Sequence, residues 1–401
     1  MGWKEWHNWP AAILIVVLCP VLAKAQLAVE ERWQLELLKM EDGDTLHLPA
    51  GTYTLTETLL VDGLDRLVIQ GAGREQTVLD FAGQAAGAEG LKVTNCTSVT
   101  LRDFAIFNTA GDAIKAQGCT GIDFLNVETS WSGKPASTNG SYGLYPVQCE
   151  DVLIDGCKAR GASDAGIYVG QSDAVIVRNC HAVENVAGIE IENTTNAEVY
   201  DNLAEGNTGG ILVFDLPGLI KKQGGDVVVH HNRVLNNNLD NFAPKGNIVA
   251  SVPPGTGVMV LATPRVTIRD NQLLENKTAS VAVVSYYLTE LPIADEAYEP
   301  IPREVQVYGN NIARSKGLPT LKNRIGLLLA MKFWRNVPGV IWDGITPATL
   351  AGEPLALTGE TFVCFGENGT DTAVLDAARK FKSLQRNPTG LACSPAQVSR
   401  L

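Results

Sequence analysis

The chain has 401 residues, of which 45% are hydrophobic and 19% are charged, and its formal net charge is −12. This composition is typical of a folded globular protein and excludes an intrinsically disordered one. An acidic surface lacks the basic footprint of a nucleic-acid-binding protein, so we expect no nucleic-acid partner.

The first 25 residues have the three parts of an export signal. Lys4 supplies the positive charge, Ala11 to Leu22 is apolar, and Ala23-Lys24-Ala25 forms an A-x-A cleavage site. The apolar run is too short to span a bilayer comfortably, and the rest of the sequence contains no longer one. We therefore predict a signal peptide over 1–25, no stable membrane insertion, and a periplasmic or secreted protein. An uncleaved anchor is the alternative.

Residues 26–42 have the apolar spacing of an amphipathic helix. The candidates for its buried face are Val29, Trp33, Leu35, Leu37 and Leu38. The segment precedes the first strand of a repetitive region, and the open end of a solenoid must be covered to prevent pairing with other chains. The sequence therefore predicts an N-terminal capping helix over 26–42.

Residues 43–316 repeat with a period of about 22–24 residues, which is typical of a solenoid. In register, successive coils begin with a glycine and an alternating apolar triplet at Gly143, Gly166, Gly188 and Gly210. Each coil contains two or three short runs that alternate with period two, and no helix-length segment separates them. The sequence thus predicts an all-β fold, a parallel β-helix. Residues 317–401, where the period fades, form a less regular C-terminal cap.

Five of the eight cysteines recur in register. Cys96, Cys119 and Cys149 share one coil position, and Cys157 and Cys180 share another. The second position continues as Asn202, Asn232, Asn271 and Asn310. Residues at one coil position stack inside a solenoid, where asparagine side chains bond to each other along the stack. We predict buried thiols there rather than metal ligands, because no C-x-x-C pair or histidine cluster accompanies them. The sequence does not decide whether Cys364 and Cys393 form a disulfide.

In the strand that follows each repeated glycine, alternate side chains face outward. Its alternation sends Ile167 and Val169 inward and Tyr168 outward. The outward column through Tyr168 reads Lys92, Lys115, Tyr145, Tyr168, Glu190, Leu212, Met259 and Ala282. The neighbouring column reads Thr94, Gln117, Val147, Gly170, Glu192, Phe214, Leu261 and Val284. One half of this face is thus charged and aromatic, the side-chain types that a sugar-binding groove needs, and the other half is apolar.

Four insertions interrupt the period, at 130–139, 216–225, 238–255 and 286–303. Insertions in solenoids form loops that often surround the binding face. We therefore expect them to wall both sides of this groove.

The repeats, the asparagine stack and phrases such as GIYVGQS, GIEIENTTNAEVYDN and NTGGILVFDLPGL resemble bacterial right-handed parallel β-helix repeat proteins. That group includes mannuronan C5-epimerases and β-helix polysaccharide lyases. The resemblance implies action on, or binding of, an extracellular and uronate-rich polysaccharide. The strand 142–147, YGLYPV, is similar to the YGxDPH strand of these epimerases, and Lys115 falls where they place a catalytic lysine.

The motif departs from the family pattern at its chemical centre, because Tyr145 and Val147 replace the Asp and the His. Epimerisation needs two proton-transfer groups and stabilisation of an enolate-like intermediate. None of the histidines at 47, 181, 230 and 231 falls on the outward face, so a standard epimerase is disfavoured. β-Elimination needs only proton abstraction and leaving-group protonation.

If the protein is an enzyme, the hypothesis is therefore a lyase. Its catalytic residues would be Tyr145 or Tyr168 as base and acid, with Lys115 neutralising the uronate. The substrate-binding candidates are Lys92, Tyr142, Gln117, Glu190, Glu192 and Asp215.

Other interpretations of the same face stay open. Glu190 and Glu192, with Asp164 and Asp215 at nearby strand ends, could serve glycoside hydrolysis or bind Ca²⁺, or could be a solvated surface. We predict no cofactor, with calcium as the alternative. A non-catalytic carbohydrate-binding or periplasmic accessory protein is the rival function. A partner protein on the apolar half (Leu212, Phe214, Met259, Leu261) is a third.

Overall fold

The fold is known from a computed structural model that describes residues 29–355 and 363–393. Within these ranges the chain winds into successive coils of up to three strands, and equivalent strands of neighbouring coils pair in parallel. This is the parallel β-helix that the sequence predicts. The predicted signal peptide, residues 1–25, lies outside the described residues.

Three sheets, here named A, B and C in the order in which each coil meets them, form the walls. Sheet A contains β1 (Thr45–His47), β4 (Val68–Gln70), β7 (Thr97–Arg102), β10 (Thr120–Leu125), β13 (Glu150–Asp155), β16 (Asp173–Arg178), β19 (Thr195–Tyr200), β22 (Gly225–His230), β25 (Val266–Arg269), β28 (Gln306–Tyr308) and β31 (Cys364–Phe365). Sheet B contains β2 (Gly51–Thr54), β5 (Thr77–Asp80), β8 (Ala105–Phe107), β11 (Glu128–Ser130), β14 (Lys158–Arg160), β17 (His181–Val183), β20 (Leu203–Glu205), β23 (Arg233–Leu235), β26 (Gln272–Leu274) and β29 (Asn311–Ala313).

Sheet C carries the face of interest. It contains β3 (Glu57–Asp62), β6 (Ala86–Thr94), β9 (Ile114–Gln117), β12 (Tyr142–Val147), β15 (Ala165–Gly170), β18 (Ala187–Glu192), β21 (Gly209–Phe214), β24 (Thr256–Leu261), β27 (Ala279–Val284), β30 (Val340–Trp342), β32 (Thr372–Val374) and the antiparallel β33 (Gln385–Arg386). The helices are α1 (Val29–Leu37), α2 (Arg324–Phe333) and α3 (Pro347–Leu350), with 3₁₀ turns at Ile248–Ser251, Tyr286–Thr289 and Ala377–Arg379.

The N-terminal helix packs on the first coil as predicted. Trp33 and Leu37, one turn apart, are buried in the solenoid core. The Glu30 carboxylate accepts a hydrogen bond from the Thr56 hydroxyl at 2.7 Å. The prediction was wrong for Leu35 and Leu38, which are 41% and 72% exposed. Leu35 lies off the face that the helix presents to the coil, and Leu38 lies beyond the end of the helix at Leu37.

The corners of the coils explain why the strands stay in register. At the corner between sheets A and B, a residue with positive φ stands directly before each stacked residue from Cys157 to Asn310, as with His231 (φ 55°) before Asn232. This left-handed residue redirects the chain, and the next side chain lies inside the solenoid. The Asn232 side-chain oxygen accepts from the backbone N–H of Asn202 at 3.0 Å and from its amide at 2.9 Å. The Asn232 amide donates to the carbonyls of Val199 and His230.

The predicted asparagine stack is confirmed and continues to Asn368. A further stack, which the sequence analysis missed, occupies the corner between sheets B and C. Its members are Asn185, Asn207, Asn237 and Asn276. The signal was present, since Asn185 and Asn207 each stand three residues before the glycine of the next strand.

The cysteines behave as their register predicts. Cys96, Cys119, Cys149, Cys157 and Cys180 are all free and buried. Outside the stacks, Cys364 and Cys393 form a disulfide.

The solenoid continues beyond residue 316, where the sequence period fades. β31 extends sheet A, and β30 and β32 extend sheet C. The C-terminal region therefore adds strands to the sheets as well as helix α2. None of the helices within the described ranges combines the length and apolar character that crossing a bilayer requires.

Replacing Asn232 by alanine should lower the free energy of unfolding by about 3 kcal/mol, because the buried donors and acceptors above lose their partner. Urea denaturation followed by circular dichroism measures this. Asn311→Ala, at an exposed position of β29, is the control and should change stability by less than ~0.5 kcal/mol. Equal effects of the two substitutions would contradict a structural role for the stack.

Candidate functional site

The outer face of sheet C has the column order that the sequence predicts. Lys115 pairs with Lys92 on one side and with Tyr145 on the other. Tyr168 pairs with Glu190. Ile167 and Val169 belong to the solenoid core, whereas Tyr168 belongs to a separate apolar cluster outside it. The histidines at 47, 181 and 230 lie on sheets A and B, and His231 lies at the corner between them, as predicted.

Much of this face is not a groove, however, because inserted segments cover it. Val249 and Val252 from one insertion, and Tyr286 and Tyr298 from another, pack onto the outer side chains of sheet C. Leu212, Phe214 and Leu261 are consequently at most 3% exposed. The predicted apolar surface for a partner protein was therefore wrong at these three positions. The insertions bury the apolar side chains instead of only walling them.

The open half of the face, as we call Lys92, Lys115, Gln117 and Tyr145, lies on the coils that precede these covers. All four side chains are partly exposed. The Lys115 ammonium lies 5.0 Å from the centroid of the Tyr145 ring, within the range of a cation–π contact. Lys92 Nζ lies 3.8 Å from Glu89 Oε1, and Gln117 donates to Gln148 Oε1 at 3.3 Å. This half therefore presents cations and an aromatic ring to solvent.

Three tyrosines mark the boundary between the open and the covered half. Ring centroids of Tyr142 lie 4.5 Å from those of both Tyr145 and Tyr168, and the last two are 5.0 Å apart. Such tilted pairs stabilise each other beyond simple burial. Tyr168 is only 4% exposed. Burial, helped by neighbouring carboxylates, raises the pKa of Tyr142 and Tyr168 well above the ordinary value and raises the pKa of Tyr145 to about 12.

Beneath the covers lies what we call the acidic cluster: Asp164, Glu190 and Glu192. The Tyr168 hydroxyl donates to Glu192 Oε1 at 2.7 Å, and the Asn247 amide donates to Asp164 Oδ2 at 2.7 Å. Glu190 is 1% exposed, and neither carboxylate oxygen has a hydrogen-bond partner. The prediction that Glu190 and Glu192 form a solvated surface was therefore wrong, because the inserted loops remove them from water.

Burial dominates the titration of this cluster. It raises the pKa of Asp164 and of Glu192 to about 7, and it raises the pKa of Glu190 well above its ordinary value. Repulsion from the neighbouring carboxylates adds to each shift. The cluster thus holds protons near neutral pH that the same side chains would release in water.

Asp215 lies apart from the open half. Its Oδ1 accepts from the backbone N–H of Gly224 at 3.1 Å, its Oδ2 has no partner, and Tyr298 donates to its backbone carbonyl. Burial raises the pKa of the Asp215 carboxyl to about 7. Of the predicted site residues, the structure brings together Lys92, Lys115, Gln117, Tyr142, Tyr145 and Tyr168, while Glu190, Glu192 and Asp215 lie under the loops.

The sequence analysis missed two residues that contact the site. Asp112 accepts from the backbone N–H of Tyr142 at 3.3 Å, and burial raises its pKa to about 6 although Lys115 opposes the shift. Asn247 reaches Asp164 from 83 residues away in sequence, which no local pattern could reveal. Within 29–355 and 363–393, no three His, Cys, Asp or Glu side chains lie where they could hold a metal ion, and we assign none.

The acidic cluster should make stability depend on pH. In the unfolded chain these carboxyls release protons near their ordinary pKa, whereas in the folded chain they keep them to about pH 7. Rising pH therefore lowers the free energy of unfolding across this window. We expect Glu192→Gln to reduce the fall between about pH 5 and pH 7.5 by roughly 2 kcal/mol. Urea denaturation at several pH values measures the slope.

The exposed Glu150 provides the matched control. Glu150→Gln should leave the pH slope unchanged. An unchanged slope in Glu192→Gln would mean that Glu192 ionises normally in the folded protein.

Two solved structures are similar in fold. One is the A-module of mannuronan C-5 epimerase AlgE4 from Azotobacter vinelandii, with a TM-score of 0.47 and 15% identity over 81% of this chain and 86% of that chain. The other is the alginate lyase from Paenibacillus sp. str. FPU-7, with a TM-score of 0.47 and 15% identity over 72% of this chain and 94% of that chain. These similarities concern the fold alone.

At the level of sequence, the pre-neck appendage protein of Bacillus phage phi29 is 23% identical over 296 residues, which is 62% of this chain and 33% of that protein. The chain thus spans about a third of the length of the curated relatives that it matches. The family described as "Right handed beta helix region" matches residues 89–215 and 137–291, which together span about half of the chain and include the whole acidic cluster. The chain therefore belongs to the right-handed β-helix family.

Proposed function

We propose that this protein is exported and binds an extracellular, uronate-rich polysaccharide along the open half of sheet C. The observation that carries the proposal is the Lys115 ammonium over the Tyr145 ring, on paired strands and partly exposed. Lys92 lies on the next strand in the same column. A row of cations beside an aromatic face suits a chain of sugar rings that bear carboxylates.

The charge of the open half supports an acidic ligand. The net charge of the protein is −12, which repels anions in general. Two lysines in one column nevertheless create a local positive potential that attracts an anion. Lysine can pair with a carboxylate as a point charge without demanding one ligand geometry. The exposed edge of Tyr145 adds an apolar surface on which a sugar ring can pack.

Binding is better supported than catalysis. A tyrosine that abstracts a proton needs a pKa near the working pH. The pKa of Tyr145 is raised to about 12, mainly by burial and also by Asp112. The Tyr168 hydroxyl is buried and donates to Glu192, so it is not free to meet a ligand in the open half.

β-Elimination is the second candidate function, and the Lys115–Tyr145 pair favours it. Tyr145 would take the proton next to the uronate carboxyl and return one to the leaving oxygen, and Lys115 would neutralise the carboxylate. This arrangement requires a bound ligand to lower the pKa of Tyr145.

Lys115→Ala should weaken binding of a uronate oligosaccharide about tenfold, because one charge-assisted contact is lost. Isothermal titration against uronate and neutral oligosaccharides of equal length measures the effect. The control is Lys158→Ala on sheet B, because Lys158 is partly exposed, as Lys115 is, but lies off the open half. Equal affinity of Lys115→Ala and the parent chain for the uronate ligand would refute the proposed groove.

Tyr145→Phe separates the two candidate functions. It keeps the ring beneath Lys115 but removes the hydroxyl, so binding should change by less than about threefold. The readout for elimination is the ultraviolet absorbance of the unsaturated product on a panel of uronate polysaccharides. We expect no product from the parent chain. If the parent chain forms the unsaturated product and Tyr145→Phe does not, the protein is a lyase.

A further inference from the structure

Helix α2 is apolar on two faces, of which the fold uses one. Gly326, Leu329, Ala330 and Phe333 are buried against the solenoid. On another side of the helix, Leu327, Met331 and Trp334 are 45%, 71% and 63% exposed. Leu327 and Met331 stand four residues apart on α2 and so lie on one side of it, and Trp334 follows directly at the end of the helix. We call these three residues the ridge.

The ridge lies in a cationic stretch of an acidic protein. From residue 305 to residue 342 the sequence has no Asp or Glu. The cations in this range are Arg314, Lys316, Lys322, Arg324, Lys332 and Arg335. Lys322 and Arg324 form exposed ion pairs with Asp240 and Glu290. Exposed pairs of this kind contribute little to stability, so these cations can exchange partners.

A cavity of about 760 Å³ opens beside the ridge. Strands β24 and β27 contribute Met259 and Ala282 to its lining, and α2 contributes Leu328. Leu327 and Met331 also line it and are exposed, so they stand at its opening together with the exposed Lys380. Leu327, Met331 and the apolar cavity thus adjoin two cations, Arg324 and Lys380, which also line the cavity.

We propose that the ridge docks peripherally on a lipid bilayer whose surface carries anionic headgroups. An amphipathic helix with a tryptophan, large apolar side chains and flanking lysines and arginines is suited to the boundary between headgroups and acyl chains. The cations then face lipid phosphates, while the ridge enters the apolar layer. The cavity offers room for part of an acyl chain. This surface is distinct from the open half of sheet C and does not depend on the proposed function.

A second copy of the chain fits this surface less well. A two-fold symmetric contact through the ridge would place the cationic stretch of one copy against that of the other. Like charges that face each other across an interface are unfavourable.

Co-sedimentation of the full chain with vesicles tests the proposal. One vesicle contains phosphatidylcholine alone, and the other contains equal parts of phosphatidylcholine and phosphatidylglycerol. We expect the triple variant Leu327→Ser, Met331→Ser, Trp334→Ser to lower the partition coefficient for anionic vesicles at least about tenfold. The control Leu38→Ser, Ile220→Ser changes two apolar side chains elsewhere that are at least as exposed as the ridge (72% and 81%) and should leave the partition coefficient unchanged.

Two double variants that each remove two positive charges test the contact with the headgroups. The double variant Arg335→Gln, Lys380→Gln should weaken binding to the anionic vesicle by about fivefold per cation. The control is Lys39→Gln, Lys245→Gln, which changes two exposed lysines on other parts of the chain and should not weaken binding. All variants keep the same N-terminal segment, so any contribution of that segment cancels. Circular dichroism and the melting temperature show that each variant is folded.

Three results would overturn the proposal. The ridge variant could sediment with anionic vesicles as well as the parent chain does. The parent could bind both kinds of vesicle equally, with no effect of the charge variants. Light scattering could show a dimer that the ridge variant converts to monomers while vesicle binding is unchanged, which would make the ridge a contact between copies.

Discussion

The stacked hydrogen bonds at the corners of the coils are the interaction on which the rest of the structure depends. Each asparagine of a stack bonds to the asparagine of a neighbouring coil and also to backbone carbonyls, as Asn202 and Asn232 do. Because these groups are buried, a coil that slipped by one residue would leave them without partners. The stacks therefore fix which residues of neighbouring strands lie side by side. The column that joins Lys92, Lys115 and Tyr145 exists only in this register.

The same scaffold is used differently along its length. In the early coils the outer face of sheet C is open, and its lysines and Tyr145 meet solvent. In the later coils the inserted segments form a second apolar core, with the acidic cluster enclosed in it. Burial raises the pKa of Glu190 well above its ordinary value, and its protonated form is the one that can stay buried without a partner among the described residues. Tyr142, Tyr145 and Tyr168 pack against each other at the boundary between the open and the covered half.

This division guides the functional interpretation. A surface that binds a long polymer needs an open row of contacts, which the early coils supply. A catalytic centre needs accessible groups with pKa values matched to proton transfer. Here the accessible Tyr145 has a pKa of about 12, and the carboxyls with a pKa of about 7 are buried. The α2 ridge is a separate surface at the later coils, and its apolar and cationic side chains suit a bilayer rather than a sugar polymer.

The sequence by itself determined the solenoid, its strand alternation and the stacking of Cys180 on Asn202, because a repeat places chemically equivalent residues at equivalent positions. It also determined the outward direction of Tyr168 and Glu190, which follows from period two within a strand. Only the tertiary structure decided that Tyr168 and Glu190 are buried while Lys115 stays open. Val249 and Tyr298 belong to the apolar cluster of Tyr168, and Asn247 bonds to Asp164 of the acidic cluster. All three come from insertions that are distant in sequence and belong to no repeat. Periodicity reports the direction of a side chain from its own strand, whereas burial also depends on what folds over it.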